Sequence, residues 1–277
     1  MERVATGTKR LWPLTLLVLV MVPAVLGISG VKIQPKSMGD GSFYGPAQKI
    51  GNGVVRTYVD VRAGQPAEIG VAFSEHALEA LPAGHAQHEG ADPHANMVAY
   101  SLELPAEAAR TPYRFVELDW NPAGHEPPGV YDLPHFDFHF YTITPGERDA
   151  IDPSDPNFQK KTENVPAAAF MASNYVAPMM MAVPKMGLHW IDPASPELNG
   201  QKFTRTFIYG SWDGQTTFWE PMVTREFILS RPSFQTPVVQ PERVATPGYY
   251  PKGYSVRWDE QRKEYRIALT DLAVRTW

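Results

Sequence analysis

Seven consecutive residues, His135 to Tyr141, read His-Phe-Asp-Phe-His-Phe-Tyr and combine the residue types that could do chemistry in this chain. In a β-strand, successive side chains point to opposite faces, so His135, Asp137 and His139 share one face and three phenylalanines share the other. The phenylalanine face is typical of a core. Imidazole and carboxylate groups bind protons and transition-metal ions, so the opposite face predicts a polar or metal-binding site.

The spacing restricts how this strand can hold an ion. Each strand residue rises about 3.3 Å, which puts His135 and His139 roughly 13 Å apart. One ion with bonds of about 2 Å cannot reach both rings. Either a β-bulge shortens the gap, or the ion uses Asp137 with one histidine and further ligands from elsewhere. The alternative is a structural row of polar side chains that hydrogen-bond to each other.

Two other segments supply candidates for the missing ligands. His189 follows Gly187 in Pro-Lys-Met-Gly-Leu-His-Trp, although a histidine between leucine and tryptophan is also typical of a core. His125 and Glu126 lie in a stiff Gly-His-Glu-Pro-Pro-Gly loop before the strand. Glu126 is the candidate general base if a metal-bound water exists. A divalent transition metal is expected, with zinc favoured, and the predicted ligands are His125, His135, Asp137, His139 and His189.

Two weaker features complete the set of polar candidates. A Gly/Ala/Asp loop carries three histidines and two carboxylates that could hold a metal loosely, although such tracts are more often solvated: His85, His88, His94, Glu89 and Asp92. Glu220, in Trp-Glu-Pro-Met, could face the same pocket as the central strand. A carboxylate beside a proline is more commonly structural.

Residues 1–27 have the pattern of a signal peptide. Lys9 and Arg10 precede an almost wholly apolar run from residue 11 to residue 26, and small residues follow at a peptidase site. The alternative is an uncleaved N-terminal membrane anchor, but the run is short for a full span and contains two prolines. The pattern predicts a secreted or periplasmic protein, without stable membrane insertion after cleavage.

Composition excludes several classes of partner. The net charge is −5 and basic clusters are absent from the sequence, which argues against nucleic acid. The sequence contains no glycine-rich phosphate loop, so no nucleotide cofactor is expected. It also contains no serine nucleophile elbow and no Cys–His pair. With no cysteine, an exported chain must depend on its core or on association. Seven tryptophans allow an apolar interface, so we expect a homo-oligomer that binds a metal or small ligand.

Residues 28–277 are predicted to form a single, mainly β domain: an antiparallel barrel or sandwich with a few short helices and many proline-rich loops. A proline-rich stretch at 235–251 is a surface crossing in this interpretation. The predicted strands are 54–61, 69–73, 97–104, 113–119, 134–144, 202–209, 216–219, 254–258 and 264–269. Asp213-Gly214 predicts a tight hairpin. The predicted helices are 74–81, 147–151 and 165–172.

Several sequence blocks, in the same order, resemble a poorly characterised family of exported bacterial proteins that includes an envelope-stress-regulated member from Thermus. The blocks are Tyr-Gly-Pro at 44–46, Gly-Asn-Gly at 51–53, Arg-Thr-Tyr-Val at 56–59, Pro-His-Phe-Asp-Phe-His-Phe-Tyr at 134–141, Met-Gly-Leu-His-Trp at 186–190, Tyr-Gly-Ser-Trp-Asp-Gly at 209–214 and Phe-Trp-Glu-Pro-Met at 218–222. The resemblance covers most of the chain after residue 27. It implies a β-rich fold and a ring-like homo-oligomer, but no activity and no catalytic residues.

Three hypotheses of function follow. The first is an exported envelope protein that binds a transition metal or small polar ligand through its His/Asp cluster. The second is a non-enzymatic, stress-induced oligomeric module in which the row of histidines is structural. The third is a metal-dependent hydrolase or lyase, which needs an open coordination position and a pocket.

Overall fold

A computed structural model of the chain describes residues 38–84 and 97–276, together with Met1. The described residues form fifteen strands. The first eight are β1 (Gly41–Tyr44), β2 (Gln48–Ile50), β3 (Gly53–Arg62), β4 (Gln65–Ser74), β5 (Val98–Glu103), β6 (Phe115–Asn121), β7 (His135–Tyr141) and β8 (Leu188–Trp190). The others are β9 (Arg205–Trp212), β10 (Gln215–Thr224), β11 (Ser233–Pro237), β12 (Gly248–Tyr250), β13 (Gly253–Asp259), β14 (Glu264–Thr270) and β15 (Ala273–Arg275).

Two antiparallel sheets contain most of these strands. The first has the order β1-β3-β4-β14-β13-β11, with β2 also paired to β3, and the second has the order β5-β6-β7-β10-β9-β8. The short strands β12 and β15 pair with each other. Both described sheets end in unpaired edge strands and share no strand. The sandwich alternative therefore fits, and the closed barrel is not supported, because no described strand of one sheet pairs with a strand of the other.

The sandwich core lies between the two sheets. Phe136, Phe138 and Phe140 on β7 are completely buried. The ring of Phe73 on β4 packs against Phe136 and Phe138, with ring centroids 5.2 and 6.0 Å apart. Aromatic pairs in this tilted or edge-on geometry add to the free energy gained from burying apolar surface. The phenylalanine face of the central strand is therefore the inner face of the second sheet.

The hairpins follow from local turn chemistry. Asp213 and Gly214 both have positive φ, 46° and 80°, and Gln215 pairs with Trp212. Positive φ at both central positions is the type I′ geometry that suits the right-handed twist of paired strands. The predicted hairpin at Asp213-Gly214 is confirmed. It starts the pairing of β10 with β9, and a register shift between Thr216 and Phe218 then sets where the later residues of β10 lie.

The helices are short and differ from the predicted ones. They are α1 (Pro145–Asp149), α2 (Phe158–Glu163) and α3 (Arg225–Leu229), besides single 3₁₀ turns at Ala106–Arg110, Ala168–Phe170 and Pro196–Asn199. A capping box between Thr144 and Glu147 starts α1, two residues before the predicted helix at 147–151. The predicted helix at 165–172 is wrong, because the structure has only the 3₁₀ turn Ala168–Phe170 there.

The predicted helix at 74–81 is also wrong. The segment folds as successive tight turns, with Ala77 N–H donating to Ser74 O and Glu79 N–H donating to His76 O. The backbone N–H of Asn52 donates a hydrogen bond to the Glu79 carbonyl. In a continued helix this carbonyl would accept from a residue four positions later. Contact with a neighbouring hairpin therefore overrides the local helical pattern.

Two predictions fall outside the described residues: the signal peptide at 1–27 and the histidine loop at 85–94. Within residues 38–84 and 97–276, no helix is long and apolar enough to cross a membrane.

Candidate metal centre

The outer face of the second sheet carries a continuous row of polar side chains. Strand β7 supplies His135, Asp137 and His139, all buried although they face away from the sandwich core. Its neighbour β6 places Glu117 opposite His139 and Asp119 opposite Asp137. Both carboxylates are buried as well. The register between two strands therefore doubles the number of ligand-type groups that the sequence of β7 offers.

The strand on the other side of β7 adds a further carboxylate. Trp219 of β10 pairs with Phe140 of β7, and Met222 pairs with Asp137, so Glu220 falls opposite His139. Only 2% of the Glu220 side chain is exposed. His139 thus lies between a carboxylate on β6 and a carboxylate on β10.

Three residues form a first group around Asp137. Nε2 of His135 lies 3.2 Å from Oδ1 of Asp137. Nε2 of His125 approaches the other oxygen of Asp137, Oδ2, at 3.4 Å. The loop that carries His125 therefore folds back over the end of β7. One donor atom from each of the three residues lies within 4.8 Å of the other two.

Hydrogen bonds to the backbone orient both imidazoles of this group. Nδ1 of His135 lies 2.6 Å from the Leu133 carbonyl, and Nδ1 of His125 lies 2.7 Å from the Glu126 carbonyl. A carbonyl oxygen only accepts, so each Nδ1 donates to it and each ring turns its Nε2 toward Asp137. Metal-bound histidines are typically held in this way, by donation from the other ring nitrogen.

The carboxylate of Asp137 is held as well. Asn121 on β6 donates from Nδ2 to Oδ2 of Asp137, at 2.7 Å. The other oxygen, Oδ1, is buried and accepts no hydrogen bond, and Nε2 of His135 has no hydrogen-bond partner either. Two lone pairs that face each other across 3.2 Å repel, so a cation must lie between them, either a proton or a metal ion.

These separations match those between neighbouring ligands of one ion. In a tetrahedral zinc site with bonds of about 2.1 Å, two ligand atoms lie about 3.4 Å apart. The two His–Asp137 distances are 3.2 and 3.4 Å. The two distances run to different oxygens of Asp137, so the first group has the donor set of three zinc ligands, with one atom of each residue within 4.8 Å of the others.

A second group forms around His139. Its Nε2 lies 3.4 Å from Oε2 of Glu220, and a donor atom of His189 completes a set within 4.8 Å. Neither ring nitrogen of His139 makes a hydrogen bond, and Oε2 of Glu220 makes none. Oδ2 of Asp119 lies 3.3 Å from Nδ1 of His139, where a carboxylate can orient a metal-bound imidazole. This group also offers two imidazoles and one carboxylate.

His189 reaches this group because a glycine faces it on the next strand. His189 of β8 pairs with Gly210 of β9. The ring of Phe218 lies over Gly210, 4.8 Å from the ring of His139 and 5.4 Å from that of His189 between ring centroids. A Cβ at position 210 would overlap this phenyl ring. Phe218 thus packs against both histidines.

Replacing Gly210 by alanine should therefore disturb the second group alone. Overpacking of a buried position costs about 1–3 kcal/mol of unfolding free energy. In an Asp137→Asn background, which leaves only the second group, Gly210→Ala should weaken zinc binding at least tenfold by calorimetry. Gly146→Ala is the control, since open space surrounds that position. Unchanged zinc affinity in Gly210→Ala would contradict this role of the glycine.

The charges of the row are unbalanced. Arg148 neutralises Glu117 with contacts of 2.8 and 3.3 Å. Among the described residues, the ion-pair contacts of Asp119, Asp137 and Glu220 involve only histidines. Burying a carboxylate without a cation costs much free energy, so these three carboxylates must share protons or metal ions.

The pKa values show the same demand for cations in the metal-free protein. Burial opposes the charged form of His139, yet Glu220 and Asp119 raise its pKa to about 10. Burial likewise opposes protonation of His125, but Asp137 raises its pKa to about 9. Burial raises the pKa of Glu220 to about 8, against the influence of His139. Protonation of these groups therefore offsets the negative charge of the row.

The structure divides the predicted ligands into two sets. Strand β7 pairs with β6 in unbroken register, so no bulge brings His135 and His139 together. Asp137 instead meets His135 and the loop residue His125, whereas His139 meets His189. Glu126 is exposed, and its backbone carbonyl rather than its carboxylate contacts His125. Its role as a general base stays a prediction.

Sequence reasoning did not select four residues of the row: Glu117, Asp119, Asn121 and Glu220. A signal for three of them was present, because Glu-Leu-Asp-Trp-Asn at 117–121 alternates polar and apolar residues as β7 does. Glu220 was considered but was taken as structural. Its neighbour Pro221 lies within a central strand, where proline is unusual, and this obscured the alternation.

The fold and the row together define a β-sandwich protein with two His–carboxylate groups on the outer face of one sheet. Residues 61–120 match a family model described as "TTHB210-like: Hypothetical protein TTHB210", which supports the resemblance over that part of the chain. The matched stretch includes Glu117 and Asp119 but ends before β7. No curated protein and no solved structure matches the chain.

Proposed function

We propose that this protein is an exported transition-metal-binding protein with two metal sites on the outer face of its second sheet. The first site consists of His125, His135 and Asp137, and the second of His139, His189 and Glu220. The observation that carries the proposal is that each group brings two imidazoles and one carboxylate together, with one donor atom of each within 4.8 Å of the others. In these groups, His135 Nε2, Asp137 Oδ1, His139 Nε2 and Glu220 Oε2 are buried without a hydrogen bond. Export rests on the signal-peptide pattern of residues 1–27.

The donor sets favour a borderline ion over hard cations. Imidazole suits zinc, copper, iron and nickel, whereas magnesium and calcium prefer sites made only of oxygen ligands. Each site supplies two imidazoles and one carboxylate, the set that catalytic zinc sites use while a fourth position stays open. We therefore propose zinc as the resident ion. The second site is bordered by the buried rings of Phe218 and Tyr141, which exclude water from His139.

Elemental analysis and zinc calorimetry of the chelator-treated full-length protein test the proposal. We expect two zinc ions per chain. Asp137→Asn should lose the ion of the first site, Glu220→Gln should lose that of the second, and the double variant should bind none. Both changes keep the shape of the side chain and remove its negative charge.

His76→Gln provides the matched control. His76 forms a surface pair with Glu79 at 3.0 Å, and 65% of its side chain is exposed. It is therefore a His–carboxylate contact without burial or further ligands, and its loss should leave two zinc ions. Circular dichroism of each variant establishes that it is folded. Binding of no zinc by the parent, or of two ions by the folded double variant, would refute the proposal.

A further inference from the structure

A run of three exposed methionines lies close in sequence to His189 of the second site. The exposed fractions of Met179, Met180 and Met181 are 56%, 48% and 68%. Nearby Met171 and Met186 are buried. Three exposed apolar side chains in a row contribute nothing to the core, and methionine is distinguished from other apolar residues by a soft, polarizable thioether.

Two backbone bridges fix this run opposite His189. Val176 pairs with Ile191, and Val183 pairs with Gly187. The first bridge has hydrogen bonds of 2.9 Å in both directions. Between the bridges, one arm of the chain contains the methionines and the other contains His189. The methionine run is therefore held beside the strand that supplies a ligand to the second site.

The loop is restricted as well as anchored. Pro178 immediately precedes the run, and Pro184 follows it by three residues. Proline fixes its own φ and limits the residue before it, so the loop has less conformational entropy to lose when it binds a ligand. An anchored loop that presents three thioethers is suited to capture a soft ion.

We propose that Met179, Met180 and Met181 form a binding site for Cu(I), separate from the two His–carboxylate groups. Soft thioether sulfur selects Cu(I) over zinc, magnesium and calcium. The chain contains no cysteine, so methionine is its only source of sulfur ligands. The ion stays Cu(I) throughout, and no electron transfer is involved. This site extends the proposed function, because it adds a soft metal beside a site suited to borderline ions.

Competition with the chelator bicinchoninate, in anaerobic buffer with ascorbate to keep copper reduced, measures this binding in the full chain. The parent should withdraw Cu(I) from the chelator. Met179→Leu/Met180→Leu/Met181→Leu should bind at least tenfold more weakly, because leucine keeps the apolar volume and removes the sulfur. Met38→Leu, at a partly buried position packed against the sandwich core, should bind as the parent does.

X-ray absorption at the copper edge gives a second readout. The parent should show sulfur scatterers around copper, and the triple leucine variant should lose them. Copper bound only by nitrogen and oxygen, or equal Cu(I) affinity of parent and triple variant, would overturn the inference. Polar replacements of the three methionines provide a further test by light scattering. If they change the oligomeric state while the leucine replacements leave Cu(I) affinity unchanged, the run is an apolar interface and the inference is overturned.

The two proposals fail in different ways. The triple leucine variant keeps both His–carboxylate groups and should still bind two zinc ions. A parent protein that binds no zinc would refute the proposed function and would not affect the Cu(I) site. Loss of the sulfur-dependent difference in Cu(I) affinity would refute the methionine site and leave the zinc sites standing.

Discussion

Phe138→Ala is expected to lower the free energy of unfolding by about 3–5 kcal/mol, the range for truncation of a buried phenylalanine. Phe138 is completely buried and packs edge-on against Phe73 of the opposite sheet. Its removal leaves a cavity directly behind Asp137 and His139. Urea denaturation in the presence of a chelator measures the loss without a contribution from metal binding.

Phe158→Ala is the control for this substitution. Phe158 begins α2, is only partly buried and packs on Trp212 at the periphery. Phe158→Ala should lower the free energy of unfolding clearly less than Phe138→Ala does. It removes less buried apolar surface and leaves the sandwich core intact. If the two variants are equally stable, the inner face of β7 is not the core that supports the polar row.

The metal-free protein is expected to lose stability as the pH rises from about 6 to 10. The pKa of His139 is about 10 in the folded protein, against an ordinary value of 6.5. Its contribution is therefore complete below pH 6.5 and is lost as the pH rises through 10. Since one pKa unit corresponds to about 1.4 kcal/mol, the change is on the order of a few kcal/mol.

The neighbouring groups act in the same direction over this range. The pKa of Glu220 is raised from 4.5 to about 8, so the folded protein retains a proton that the unfolded chain has released, and stability falls up to pH 8. The pKa of His125 is raised to about 9, with the same sign as His139. Asp137 has a lowered pKa and acts only in acid, outside the range measured.

Thermal unfolding from pH 6 to pH 10, in chelator, tests this expectation. His139→Gln should flatten the pH dependence, whereas His76→Gln should not, because the exposed His76–Glu79 pair is screened by solvent. Saturating zinc should raise the melting temperature most at high pH, where fewer protons compete for the ligands. A parent whose stability is constant from pH 6 to pH 10 would show that the row is not protonated in this way.

The sequence alone predicted nine of the fifteen described strands, because these depend on local alternation and local turns. The six strands that it did not predict are short: β1, β2, β8, β11, β12 and β15. The alternation of His, Phe and Asp from 135 to 141 predicted which side chains lie in the core and which form the polar row. Asp213-Gly214 predicted its hairpin, because a type I′ turn needs residues that tolerate positive φ. The helices were predicted less well, since short helical patterns were overridden by contacts with distant segments, as at 74–81.

Only the tertiary structure decided how the ligands are grouped. Asp119 and Glu220 join the row through the registers of β6 and β10, and such registers depend on pairings between strands far apart in the chain. His125 arrives by a loop that folds over the end of β7, and His189 by an edge strand opposite Gly210. The spacing of His135 and His139 excluded one shared ion in a regular strand, but a bulge remained open and the partner of each histidine could not be predicted. Composition along one strand sets the available chemistry, and packing between strands sets which of these groups lie together.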